Sequence, residues 1–175
     1  MIDSLISSKT RIKVLLKFFL NHKNTSYLRG LEQEFGDSTN SIRVELNRFE
    51  KSGLLTSFLQ GNKKFFRANL GHPLYSDIHN IVIKHIGFDT IIINVLEKLG
   101  DLTNVYVLGS FARGIDSSVI DLMLVGDIDK PYFIQLVEKV EKLISRRIRY
   151  IIYKKESDID WIQFTQDPLL LWENK

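Results

Sequence analysis

Residues 105–125, VYVLGSFARGIDSSVIDLMLV, carry the side chains best suited to chemistry in this chain. The apolar run Val105 to Leu108 enters a turn at Gly109-Ser110. Small residues at such a turn let backbone N–H groups and a hydroxyl approach a phosphate closely. Phe111 to Gly114 then opens a short helix bearing Arg113, and the strand Val119 to Val125 bears one carboxylate, Asp121. Residues i and i+2 of a strand point to the same face, so two carboxylates at that spacing could hold a pair of metal ions against a triphosphate. The same-face neighbours of Asp121 are Val119 and Met123, so the pair is broken.

The stretch resembles the GSxARG motif of the polymerase-beta-like nucleotidyltransferase superfamily, specifically its minimal members, through Gly109, Ser110, Ala112, Arg113 and Gly114. The resemblance implies two acidic residues two positions apart on the following strand and a third on the strand after the next helix. That helix is expected over Tyr132 to Ser145, and in the strand Arg147 to Tyr153 the matching position is Arg149, a cation that would repel Mg²⁺. Gly109, Ser110, Arg113 and Asp121 therefore read as a vestigial nucleotide-binding set, with no catalytic residue, no metal and no cofactor expected. A tight turn inherited with the fold, binding nothing, is the other reading of Gly109-Ser110. Asp127-Ile128-Asp129 imitates an acidic pair but follows Gly126, too far beyond the turn to face it, and reads as a solvated loop. His22, His72, His79 and His85 show no i,i+4 pair, which argues against a histidine metal site.

At 175 residues, 44% hydrophobic and 26% charged, the chain has an ordinary composition for a globular protein, and two small domains fit it better than one large one. It has no cysteine, hence no disulfide framework and no thiolate metal site. The first residues lack the continuous apolar core of a signal peptide, and no apolar stretch is long enough to span a bilayer, so a cytoplasmic location without membrane association is expected. Charge is divided unevenly. Residues 1–70 carry 12 Lys and Arg against 6 Asp and Glu, whereas residues 71–175 carry 12 against 15. The basic half is the candidate polyanion binder.

Within that half, Ile12, Leu15, Leu16, Phe19 and Leu20 recur at helical spacing and predict an amphipathic helix over Arg11 to Asn21. Tyr27 to Phe35 reads as a second helix with Leu28, Leu31 and Phe35 on one face. After Gly36-Asp37-Ser38, a third helix runs from Thr39 to Lys51 with Ile42, Leu46 and Phe49 inward. Two short helices joined by a tight Gly turn make a helix-turn-helix. Leu55 to Leu59 and Lys63 to Ala68 follow as strands around a Gln60-Gly61-Asn62 turn.

This order, and NSIRVELNRFEKSGLL most of all, resembles the winged helix-turn-helix of bacterial regulators of the ArsR type over roughly residues 8–70. The resemblance implies that the third helix enters the major groove of double-stranded DNA with its N-terminal turn leading. Thr39, Asn40, Ser41, Arg43, Val44 and Asn47 are then the candidates for base edges, and Arg48, Lys51, Lys63 and Lys64 for phosphates. Ser38 belongs to the same turn and is equally well placed simply to cap the helix. Arg43 could instead pair with Asn47 or Glu50 on the surface.

Gly71-His72-Pro73 ends this module. Leu74 to Ile86 and residues 89–99 read as two helices apolar enough to pack at a domain or subunit interface, which predicts a homodimer. Asp158 to Trp161 and Pro168 to Trp172 read as a final amphipathic piece that folds back on a core or meets a partner subunit. The expected fold is α+β: a winged helix-turn-helix over 1–70, a helical dimerisation region over 71–100, and a nucleotidyltransferase-like α/β domain with a small mixed sheet over 101–175. The expected function is transcription regulation by a DNA-binding dimer whose degenerate C-terminal domain dimerises or senses a nucleotide or protein effector. An active nucleotidyltransferase tethered to a DNA-binding module is the alternative.

Overall fold

Ser8 accepts a hydrogen bond from the Arg11 amide and starts α1, Lys9–Leu15. The helix continues as a π-helical stretch, Leu16–Leu20, so the expected single amphipathic helix over 11–21 changes geometry halfway. The stretch is also buried all round. Every residue from Val14 to Asn21 is buried, which no one-sided helix can arrange, and the Lys17 ammonium within that run is satisfied by Glu34 at 2.6 Å. The computed structural model describes residues 2–164 and 168–174 and divides into two units, Met1–His85 and Ile86–Lys175, the boundary falling within the 71–100 segment.

In the first unit, β1 (Ser26–Tyr27) leads into α2 (Leu28–Phe35), which Gly36 closes in the left-handed conformation. Ser38 caps α3, Thr39–Lys51, whose inward face is Ile42, Glu45, Leu46 and Phe49. β2 (Leu55–Gln60) and β3 (Lys63–Ala68) form a hairpin, and β3 pairs on its other side with β1, giving an antiparallel sheet in the order β1-β3-β2. The connection is only Gly61-Asn62, with Gly61 alone at positive φ, the pattern of a type II′ turn. α4, Tyr75–Ile86, sets Tyr75 against Phe19 at 5.8 Å, and His79 Nδ1 lies 2.7 Å from the Phe19 carbonyl. Helices α1 to α3 with this hairpin constitute a winged helix-turn-helix.

The second unit begins with α5, Phe88–Asn94. The single helix expected over 89–99 breaks after Asn94, whose amide donates back to the Thr90 carbonyl, and resumes as a 3₁₀ turn at Leu96–Lys98. Strands β4 (Leu102–Leu108), β5 (Val119–Gly126), β6 (Arg147–Tyr153) and β7 (Leu169–Glu173) form one sheet in the order β6-β5-β4-β7. β5 and β6 are parallel and joined through α7, Lys130–Ile144; the other pairs are antiparallel, so the sheet is mixed. Asp129 caps α7 by accepting from the Tyr132 amide, so one carboxylate of the 127–129 loop is engaged locally.

Helices pack on one face of this sheet, with Phe88 edge-on to Phe111 at 5.6 Å. Met123, Val125 and Ile159 form the core of the other face, with Tyr106, Leu108, Tyr153 and Phe164 around it. Tyr106 donates to Glu156 at 2.6 Å and packs edge-on to Trp161; burial, reinforced by Glu156, pushes its hydroxyl up to about 12. The Asp158–Trp161 stretch thus folds back on the core, but Leu169–Glu173 is an edge strand rather than part of an amphipathic piece.

Gly126 ends β5 at φ +150°, and a Cβ there would fall 2.4 Å from the Asp101 carbonyl oxygen and 2.8 Å from Leu102 Cα. Backbone cannot step aside as a side chain can. Gly126→Ala is expected to lower stability by about 2–4 kcal/mol, read as a drop in the urea midpoint without a change in slope.

Candidate nucleic-acid interface

The buried side of α3 decides which residues remain outside. Glu45 is buried and its carboxylate is partnered: Arg11 donates to it through Nε at 2.8 Å and Nη2 at 3.1 Å, and the Ser8 hydroxyl donates at 3.2 Å. Arg48 reaches the same carboxylate at 3.4 Å, so this expected phosphate contact is partly tethered. Helical spacing then places Asn40, Arg43, Val44 and Asn47 on the exposed side and leaves Thr39 half-buried. Ser38 and Ser41 are bound to each other, the Ser38 Oγ accepting the Ser41 amide and lying 2.7 Å from the Ser41 Oγ. They cap the helix.

Arg43 has neither Asn47 nor Glu50 as a partner among the described residues, because Glu50 is engaged elsewhere. Glu50 accepts from the Ser57 hydroxyl on β2 and from Lys64 Nζ on β3 at 2.7 Å, tying the wing to α3. These two donors, Lys64 first, hold the Glu50 carboxyl below its ordinary value against a smaller opposing effect of burial. Lys63 instead lies over the Tyr27 ring, its Nζ 4.3 Å from the centroid. Lys51 stays exposed at the last turn of α3.

Between α3, the first turn of α2 and the wing lies a groove of about 560 Å³. Its walls bring Arg29, Arg43, Lys63 and Lys64 together with the amides of Asn47 and Asn62, and no carboxylate lines it among the described residues. Arg29 is absent from the candidates drawn from sequence. Its signal was a cation in the first turn of the shorter helix, one residue after Leu28, where a chain running along α3 would pass.

In the second unit the sequence-predicted turn forms as α6, Gly109–Ala112, with Gly109 at φ +61°. A Cβ on Gly109 would meet Asp121 Oδ2 at 2.9 Å, so the turn sits directly on that carboxylate. Asp121 and Arg149 are register partners on β5 and β6, and Arg149 donates to Asp121 through Nε at 2.6 Å and Nη2 at 3.0 Å. The hydrogen bonds that Arg149 donates to Asp121, then the charge of that carboxylate, raise the Arg149 pKa above its already high value. Met123, the same-face neighbour, is fully buried, and Arg113 is exposed. A carboxylate held by a guanidinium fork has little charge left to offer a cation. The four histidines do not assemble a metal centre; among the described residues no group of three or more His, Asp or Glu side chains could hold a metal.

No protein-family model matches the chain, and neither does any curated protein. Among solved structures it is similar to reduced HlyU from Vibrio cholerae N16961, with a TM-score of 0.38 and 12% identity over 47% of this chain and 82% of that one. No helix among the described residues is long and apolar enough to cross a membrane.

The depressed Glu50 has a pH signature. Its contribution to stability is present above the ordinary carboxyl value of 4.5 and is lost as pH falls through the lower folded value. The thermal midpoint is expected to fall as pH drops below about 5, and Glu50→Gln to show a shallower fall over that acid range in parallel scans.

Proposed function

We propose that the chain is a sequence-specific DNA-binding regulator of transcription, acting in the cytoplasm as a homodimer. The groove between α3 and the wing carries this reading, because among the described residues it gathers four cations and two amides with no carboxylate in its lining, and only Lys64 of the four is paired, with Glu50 behind it. A phosphate backbone passing along it meets Arg29, Lys63 and Lys64, while Arg43 and Asn47, one helical turn apart, extend toward base edges with Asn40 and Val44. Exposed Leu74, Ile81 and Ile93 on the 71–100 segment support dimerisation through that region. Two copies would place paired α3 helices about one turn of DNA apart.

Selection of bound sequences from random duplexes tests the reading. It should enrich a short inverted repeat, with affinity falling steeply as salt rises. Arg43→Ala should flatten sequence preference, and Lys63→Ala with Lys64→Ala should weaken all duplexes alike, each by about 1–3 kcal/mol. Failure to enrich any duplex contradicts it.

The second unit, read as a nucleotidyltransferase-like domain from about residue 101, serves dimerisation or the sensing of a nucleotide or protein rather than transfer. The engagement of Asp121 by Arg149 supports this over the tethered-enzyme alternative, since a two-metal clamp needs several free carboxylates. With labelled nucleoside triphosphates and Mg²⁺ or Mn²⁺, transfer to protein, DNA or small acceptors should stay at background. Transfer that Asp121→Ala abolishes would establish the alternative.

A further inference from the structure

We propose that the outward face of the wing sheet is a stacking platform for unpaired bases of single-stranded nucleic acid. Side chains alternate across a strand, so β3 turns Phe66 and Ala68 inward, where they are buried, and Lys63, Phe65 and Arg67 outward. The register of the sheet places Tyr27 of β1 and Phe58 of β2 directly opposite Phe65 on its two sides. Three aromatic rings therefore stand in one row across all three strands, Tyr27 to Phe65 at 5.1 Å and Phe65 to Phe58 at 5.7 Å. None of the three is fully covered.

A cation closes each end of the row. Lys63 Nζ is 4.3 Å from the Tyr27 centroid and the Arg67 guanidinium carbon 5.4 Å from that of Phe58. Neither has a carboxylate partner among the described residues, so both can meet phosphates while keeping an aromatic contact. Beside Tyr27 and Phe65 lies a recess of about 410 Å³ that Thr25 and Gln33 also line; its one carboxylate, Glu34, is neutralised by Lys17. Gly30 leaves room for the ring: a Cβ there would lie 3.1 Å from Tyr27 Cε1. Rings in a row, flanked by cations, are what a single strand needs, because every base has a face to stack and every linkage a charge. The face is separate from the groove assigned to duplex DNA, although Tyr27 and Lys63 border both.

Fluorescence anisotropy of the full chain with labelled twelve-residue oligothymidylate, oligouridylate and an abasic backbone of equal length tests this. The base-bearing strands should bind at least tenfold more tightly than the abasic one, the two sugars showing which nucleic acid is preferred. Phe58→Ala with Phe65→Ala should weaken them on the order of tenfold or more per ring. Phe58→Leu with Phe65→Leu, which keeps apolar cover and so the fold, should weaken them comparably while leaving duplex sequence preference unchanged. Equal affinity for the abasic strand, or full binding by the folded leucine variant, overturns the proposal. So does an alanine variant that alters oligomeric state but not oligonucleotide binding, which would assign the face to a second copy of the chain. A chain that selects no duplex yet binds bases refutes the regulator reading alone.

Discussion

The buried carboxylate of Glu45 is the constraint on which the first unit turns. Taking an ionised group out of water is costly, and here the cost is offset by two hydrogen bonds from Arg11, one from Ser8 and the charge of Arg48. Apolar contacts between α1 and α3 would tolerate some sliding or rotation. A bidentate guanidinium–carboxylate pair does not, since its fork has one geometry. The pair therefore sets the rotation of α3 about its own axis, and with it the set of side chains that face outward. Arg43 and Asn47 look out because Glu45 must look in.

Glu50 does for the wing what Glu45 does for the helix. By holding Ser57 of β2 and Lys64 of β3 it makes the hairpin and α3 one surface, so the groove has a defined width. Two carboxylates on one helix thus convert loose modules into a shaped cationic cleft, while Arg11, Arg48 and Lys64 are engaged in doing so. In the second unit the same pairing has the opposite result: Arg149 closes over Asp121, and a turn of the right shape is left beside a carboxylate that is already satisfied.

Much of this was legible in the sequence where local chemistry decides the outcome. Helix α3 spans Thr39–Lys51 as its Ser cap and apolar spacing indicate, and β3 and β6 keep the ends read from their patterns. What escaped was decided at long range. The π-helical turn after Leu15 has no mark in the apolar spacing, and β7 exists only through pairing with β4, from which about sixty residues separate it. The burial of Glu45 has no local signal, because its partner lies 34 positions away on α1. The aromatic row of Tyr27, Phe58 and Phe65 is invisible in linear order, since only the strand register brings it together.

Arg149 has one more role that follows from its position. β6 is an outermost strand of its sheet, with backbone donors and acceptors left over on its far side, and such strands invite another chain to add to the sheet. Exposed Tyr150 and Ile151 would make that addition favourable, whereas the alternating charges of Arg147 and Arg149 oppose it. An acid at position 149 would leave Arg147 as the only cation on the strand. Engagement of Asp121 and resistance to aggregation are then served by a single side chain.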